Sequence, residues 1–176
     1  MKRVLAVWLC GAMAAICCVG TANAQAPRRA PSWALMDSAG HMHDLLDYRG
    51  KVLIIDMMKT TCPHCASFAS VLAQVQQKYG DRVAIVSVVS PTNDTAQAVA
   101  SYIALHKITY PVVFDMGQMQ YSYVLKGSVE LPHVYVVDQN GYIQGDYDYN
   151  VTTREIFEGQ GLFQHLDRLV GGASKK

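Results

Sequence analysis

The chain has 176 residues, of which 51% are hydrophobic, and its charged side chains leave a formal net charge of +1 at pH 7. This length and apolar content suffice for one ordinary globular domain with its own core. The near balance of charge excludes the basic surface by which proteins bind nucleic acid or an anionic membrane.

The first 24 residues have the pattern of a secretory signal peptide. Lys2 and Arg3 precede an apolar run, Val4–Val19, and the segment Ala22–Ala24 has small residues at the positions that a signal peptidase requires. The apolar run is shorter than the roughly 18 residues that a retained membrane anchor needs. We therefore predict cleavage after Ala24, a secreted protein that is periplasmic if the host is bacterial, and no stable membrane span after cleavage.

Removal of the leader leaves two of the five cysteines, Cys62 and Cys65. Because Lys2 and Arg3 leave with it, the formal net charge falls from +1 to −1. A single pair of cysteines with no other thiol for exchange suits catalysis in an oxidising compartment better than it suits a disulfide scaffold.

The remaining chain divides into a flexible lead-in at 25–31, one domain at 32–171 and a disordered tail at 172–176. The domain opens with a β-hairpin, Ser32–Met36 and His41–Asp44 around a turn. The periodicity of the apolar residues then predicts strands and helices in the following order: strand Lys51–Met58, a helix beginning at the cysteines, strand Arg82–Val89, helix Thr95–Lys107, strand Tyr110–Asp115, short helix Met116–Leu125, a strand opened by Pro132, a turn at Asp138–Gly141, strand Tyr142–Tyr147 and helix Thr152–Val170. This order predicts an α/β fold, a mixed sheet with helices on both faces and an N-terminal hairpin extension.

The segment Cys62-Pro63-His64-Cys65 follows a buried-strand pattern directly, and helical spacing begins at once. Two cysteines at a helix start indicate thiol chemistry, because the positive end of the helix dipole stabilises a thiolate. We predict that Cys62 is the nucleophile and that Cys65, one turn further in, resolves the mixed disulfide. A structural disulfide over so short a loop would contribute only about 2 kcal/mol, and a zinc site lacks ligands, so we predict no metal.

This motif and its surroundings resemble the thioredoxin superfamily, and most closely its TlpA-like extracytoplasmic thiol–disulfide oxidoreductases. The resemblance covers nearly all of the chain after the leader. It implies that Asp56, six residues before Cys62, is a buried acid that assists proton transfer at Cys65. The family usually shows Phe-Trp where this chain has Met57-Met58.

The resemblance also assigns a role to the segment around Pro132. In thioredoxin-like proteins the matching proline is cis and packs against the cysteine pair, and the residue before it, here Leu131, presents backbone groups to the substrate. His133 follows directly and is included in the predicted substrate-binding set; its ring can face either the sulfurs or the opposite side of the sheet. Protein thiols or disulfides and a redox partner are the implied partners.

Pro63 and His64 are predicted to tune the redox potential. Pro63 has no N–H to donate, whereas the His64 ring can carry a positive charge and donate towards the Cys62 sulfur. The dipeptide resembles that of the bacterial periplasmic disulfide-introducing enzyme, while the TlpA-like body resembles reductases. We predict a potential more oxidising than thioredoxin's, which is about −270 mV.

Two alternative functions remain at this level. A copper-binding thioredoxin-like carrier would use Cys62 and Cys65 with His64 or His133, because thiolates select Cu(I). A peroxiredoxin-like peroxidase would need a proline and a threonine upstream of Cys62, at positions that hold Ile55 and Lys59. No organic cofactor is predicted, since the sequence has no glycine-rich phosphate loop.

Overall fold

The computed structural model describes residues 28–125 and 127–172. The predicted signal peptide at 1–24 lies outside the described residues. The strands and helices, in chain order, are β1 (Arg28–Arg29), β2 (Ala34–Asp37), β3 (Met42–Asp44), β4 (Val52–Met57), α1 (Pro63–Tyr79), β5 (Val83–Val89), α2 (Ala96–His106), β6 (Val112–Phe114), α3 (Gln118–Tyr123), β7 (His133–Val137), β8 (Tyr142–Asp148), α4 (Arg154–Phe157) and α5 (Gln160–Gly172). None of the described helices is long and apolar enough to cross a membrane.

One eight-stranded sheet organises the domain, with strand order β1-β8-β7-β4-β5-β6-β2-β3. Strands β4, β5 and β6 are parallel, while β7 is antiparallel to both β4 and β8. All six residues of β4 are buried, as expected for a central strand covered on both faces. The mixed α/β sheet predicted from the sequence is therefore confirmed, including the N-terminal hairpin formed by β2 and β3.

Alternate side chains of β4 enter two different cores, one on each face of the sheet. Val52 and Ile54 pack against α1 and α5, together with Phe68, Leu72, Leu162 and Leu166. Leu53, Ile55 and Met57 pack on the opposite face against Trp33, Met119, Tyr123 and Tyr135. Asp56, which follows Ile55 in this alternation, therefore lies on the α1 face.

The predicted flexible lead-in is wrong from Arg28 onwards. Arg28 and Arg29 pair with Ile143 and Tyr142 of β8, and the Ala30 N–H donates to the Gly141 carbonyl at 2.9 Å. The physical reason is that β8 would otherwise be an open sheet edge, whose unpaired backbone groups favour the addition of a strand. Residues 25–27 lie outside the described part of the chain.

The predicted helix Thr152–Val170 is instead two helices, α4 and α5, separated at Gly159. Gly159 has φ +101°, a conformation that L side chains rarely adopt, and an added Cβ would lie 3.2 Å from the Val71 side chain. The chain therefore turns at this glycine. Helix α5 continues to Gly172, which was predicted as the first residue of the tail; residues 173–176 lie outside the described part of the chain.

Candidate active site

The two cysteines lie where α1 begins, beside the carboxyl ends of the parallel strands. Cys62 is the N-cap residue in an extended conformation, with φ −87° and ψ 117°, and Pro63 occupies the first turn. The Cys62 sulfur accepts a hydrogen bond from the Cys65 N–H at 3.2 Å. The helix start therefore offers an N–H donor to negative charge on this sulfur.

The two thiols differ in exposure. Both are free; Cys62 is partly exposed, whereas Cys65 is 2% exposed. Burial, followed by the neighbouring Asp56, raises the pKa of the Cys65 thiol. Cys62 is thus the more accessible thiol, and Cys65 is held in its protonated form.

Asp56 lies on β4, on the α1 face of the sheet, and is 3% exposed. The Ser87 hydroxyl donates to its Oδ2 at 2.7 Å, while Oδ1 has no hydrogen-bond partner among the described residues. Burial raises the pKa of Asp56 to about 7, although the Ser87 hydrogen bond and the charge of His133 act in the lowering direction. A carboxyl with this pKa can give or take a proton near neutral pH.

The segment Leu131–Pro132 faces the exposed cysteine. The peptide bond between them is cis, as the family resemblance implies. The Cys62 thiol donates to the Leu131 carbonyl at 3.9 Å, and Leu131 packs against the same apolar cluster as Cys65. Leu131 therefore adjoins the Cys62 sulfur, and Pro132 follows it through the cis bond.

The His64 ring has a partner that sequence patterns did not reveal. It stacks on Tyr149 at a centroid distance of 4.2 Å and an interplanar angle of 23°. Tyr149 is in turn backed by Phe157 at 5.3 Å. The position of His64 is therefore set by a residue just after β8, a contact between segments far apart in sequence.

His133 lies on the opposite face of the sheet from the thiols. Val134, the next residue of β7, packs in the α1-side core, so His133 and Tyr135 point the other way, and their rings are 4.4 Å apart. The His133 Nδ1 is 2.6 Å from Asp148 Oδ1. The predicted direct role of His133 in substrate binding is therefore corrected, because its ring contacts carboxylates behind the sheet.

Asp94 is a site residue that the sequence reading missed. It is 1% exposed, and its Oδ1 accepts from the Thr60 N–H at 2.8 Å and from the Thr60 hydroxyl. The sequence placed it near the cap of α2, but Thr95 is the N-cap residue. Asp94 instead fixes the loop that leads into Cys62.

A cavity of about 390 Å³ opens beside Leu131. Three of its lining residues are methionines, Met57, Met58 and Met116. Methionine side chains are flexible and adapt to differently shaped apolar groups. Met57 and Met58, where the family usually shows Phe-Trp, therefore form part of the wall of this cavity, and Met58 packs in the same cluster as Cys65.

The expected absence of a metal site can be compared with the side-chain geometry. Within 28–125 and 127–172, no group of three or more His, Cys, Asp or Glu side chains is placed to hold a metal ion. Two candidate copper ligands, His64 and His133, lie against Tyr149 and Asp148.

Comparison with known proteins assigns the family. The model of the AhpC/TSA family matches residues 27–145. The chain belongs to this family.

Individual relatives are similar over most of the chain. Thioredoxin-like protein YneN of Bacillus subtilis is 23% identical over 133 residues, which are 75% of this chain and 76% of that protein. Thiol-disulfide oxidoreductase ResA of Geobacillus thermodenitrificans is 28% identical over 144 residues, covering 80% and 75% of the two chains. A crystal structure described as a thiol:disulfide interchange protein DsbE from Chlorobium tepidum aligns with a TM-score of 0.65 at 24% identity, covering 78% of this chain and 95% of that one.

These comparisons confirm the thioredoxin-like fold and the TlpA-like resemblance inferred from the sequence. They also support the class of activity. This member of the AhpC/TSA family is a thiol–disulfide oxidoreductase.

Proposed function

We propose that Cys62 and Cys65 form the redox pair of this enzyme and exchange disulfides with protein thiols outside the cytoplasm. The observation that carries the proposal is the asymmetry of the pair at the start of α1. The Cys62 sulfur is partly exposed and accepts from the Cys65 N–H at 3.2 Å, whereas Cys65 is buried on the Asp56 side of the sheet.

The cycle needs only these side chains. In the reducing direction, the Cys62 thiolate attacks a client disulfide, forms a mixed disulfide and releases one client thiolate. Asp56 accepts the Cys65 proton, and the Cys65 thiolate attacks the Cys62 sulfur, which closes the intramolecular disulfide and releases the second client thiolate. Oxidation of a client dithiol is the same sequence in reverse. No organic cofactor takes part in this cycle.

Leu131 and Pro132 form the client-binding side of the site. The Leu131 carbonyl is 3.9 Å from the Cys62 sulfur, so a client backbone aligned along Leu131 brings its own cysteine to the nucleophile. Backbone hydrogen bonds of this kind are independent of client sequence. The partners are therefore cysteine-containing protein segments in an extended conformation, together with a redox partner that restores the pair.

Pro63 and His64 set the redox poise. Stabilisation of the reduced form by the helix dipole and by a charged imidazole makes the disulfide a stronger oxidant. We expect a potential above thioredoxin's roughly −270 mV, and a shift in the reducing direction for His64→Pro. Equilibration with glutathione redox buffers measures both; a value at or below thioredoxin's would show that the pair is built as a reductant.

The compartment follows from the predicted leader. Cleavage after Ala24 would release the enzyme beyond the inner membrane, in the periplasm of a bacterial host. N-terminal sequencing of the protein from the periplasmic fraction should begin at Gln25, and recovery of full-length protein in the cytoplasm would contradict this assignment.

A trapping experiment tests the redox pair itself. In Cys65→Ala the resolving thiol is absent, so mixed disulfides with clients should accumulate on Cys62 and should be cleaved when a reductant is added. Cys62→Ala is the matched control and should trap nothing. Trapping through Cys65, or none in either variant, would overturn the assigned order of attack.

A further inference from the structure

Asp148 is a carboxylate beside the Leu131–Pro132 segment that takes no part in the proposed cycle. It is the last residue of β8 and pairs across the sheet with His133. Its side chain is 44% exposed.

A single oxygen of Asp148 holds both flanks of the client-binding segment. Asp148 Oδ1 accepts from the Glu130 N–H at 3.1 Å, and the His133 Nδ1–H donates to the same oxygen at 2.6 Å. Glu130 is the residue before Leu131, and His133 is the residue after Pro132. Leu131 and Pro132 are therefore bracketed by two hydrogen bonds to one atom.

Asp148 and His133 are each held by further contacts. The Asp148 carbonyl accepts from the Asn150 amide at 3.2 Å and from the Thr153 hydroxyl, which anchors the end of β8. The His133 ring is 3% exposed and packs 4.4 Å from the Tyr135 ring, whose hydroxyl donates to the Tyr123 carbonyl at 3.3 Å. The hydrogen bond between Asp148 and His133 thus connects the end of β8 to the core that contains Tyr135.

Asp146 offers a natural comparison. Its Oδ1 lies 2.9 Å from His133 Nε2, so it contacts the same ring, but no hydrogen bond connects it to Glu130. Its other oxygen is 3.9 Å from the Arg28 guanidinium. Asp146 therefore affects the ring without bracketing the segment.

We propose that Asp148 is a positioning residue that holds the Leu131 backbone in place for extended protein clients. This inference rests on the proposed function, because it assumes that clients align along Leu131 when Cys62 attacks. Its physical basis is preorganisation: a backbone fixed before binding loses less conformational freedom when the client binds. Small disulfides, which have no backbone to align, should not depend on it.

The test compares two substrates of reduced protein. One is a short extended peptide whose single cysteine is in mixed disulfide with glutathione, and the other is 2-hydroxyethyl disulfide. In Asp148→Ala the second-order rate constant with the peptide should fall about tenfold relative to that with the small disulfide, as expected from losing two hydrogen bonds of ordinary strength. The redox potential of the Cys62–Cys65 pair, measured in glutathione redox buffers, should not change.

Two variants separate positioning from general damage. Asp148→Asn retains an Oδ1 acceptor for both donors and should restore the peptide rate, while Asp146→Ala should leave the ratio of the two rates unchanged. If Asp148→Ala does not unfold cooperatively as the parent does, Asp148→Glu is used as the test variant instead. Its added methylene moves the carboxylate oxygen away from the two donors.

The outcomes distinguish this inference from the proposed function. An unchanged ratio in a folded Asp148→Ala or Asp148→Glu variant, or an equal fall in Asp146→Ala, would overturn the positioning role while leaving thiol exchange intact. Failure of the parent itself to react through Cys62 with either disulfide would overturn the proposed function and the inference together.

Discussion

Two pairs of buried tyrosines, one on each face of the sheet, differ in their hydrogen bonding. On the face that carries α1, the hydroxyls of Tyr102 and Tyr110 have no hydrogen-bond partner among the described residues. On the opposite face, the Tyr123 hydroxyl donates to the Pro31 carbonyl at 2.8 Å and the Tyr135 hydroxyl donates to the Tyr123 carbonyl at 3.3 Å. The two pairs therefore differ: Tyr123 and Tyr135 are hydrogen-bonded through their hydroxyls, whereas within the described part of the chain Tyr102 and Tyr110 are not.

The face with the unpaired tyrosines also carries the two cysteines. Asp56 Oδ1 is also without a partner among the described residues, and Tyr102 packs in the same cluster as Cys65. Burial, followed by the charge of Asp56, raises the pKa of both Tyr102 and Tyr110, so both hydroxyls stay protonated. Unpaired buried polar groups cost about 1–3 kcal/mol each, and the fold tolerates that cost at Asp56, Tyr102 and Tyr110.

The largest expected effect comes from Asp56→Asn, which removes the buried titrating carboxyl on the face that carries Tyr102 and Tyr110. The Asp56 pKa is about 7 in the folded protein, against about 4 in an unfolded chain. Below pH 4 both states are protonated; between pH 4 and 7 only the folded state holds the proton, so the free energy of unfolding falls by about 1.4 kcal/mol per pH unit. Urea denaturation of the reduced proteins should show the variant more stable at pH 8 by up to about 4 kcal/mol.

The same variant tests the proton relay. At pH 4 parent and variant should be nearly equal in stability, because both then carry a neutral side chain at this position. Resolution of the mixed disulfide by Cys65 should slow more than its formation by Cys62, because only resolution requires removal of a proton from a buried thiol. A stability difference that does not change with pH, or equal resolution rates, would contradict the role assigned to Asp56.

The second-largest effect is expected at Tyr123, one of the two hydrogen-bonded tyrosines. Tyr123→Phe removes the hydroxyl that donates to the Pro31 carbonyl but keeps the ring, which lies 5.2 Å from Tyr135. The free energy of unfolding should fall by about 1 kcal/mol, because a partly buried hydrogen bond is lost. Urea denaturation at neutral pH measures this fall, and an unchanged midpoint would show that the pairing contributes nothing to the frame.

Much of the fold could be predicted because its signals are local. The apolar run at Lys51–Met58 predicted a buried strand, and the Asp138–Gly141 turn predicted an antiparallel return. Strand β1 could not be predicted, since two residues carry no periodicity and their pairing depends on a distant sheet edge. The division of the last helix at Gly159 depended on its close approach to Val71, which only the packed structure shows.

The candidate site divides in the same way. Cys62 and Cys65 could be identified from sequence because a helix start and its effect on a thiolate are local properties. The partners of the site could not: Tyr149 reaches His64, and Asp148 reaches both flanks of Pro132, across long stretches of chain. Alternation along β7 left the direction of the His133 ring open, and only the packing of its neighbours decided it.

The smallest effect, and the one of opposite sign, is expected for Tyr102→Phe. This substitution has the same chemistry as Tyr123→Phe, but the hydroxyl that it removes has no hydrogen-bond partner among the described residues and is buried beside Cys65. No protein hydrogen bond is lost, so the free energy of unfolding should stay within about 0.5 kcal/mol of the parent or rise. The two substitutions are measured side by side by urea denaturation at one pH, and equal destabilisation by both would show that the hydrogen bonding of these two tyrosines makes no difference to stability.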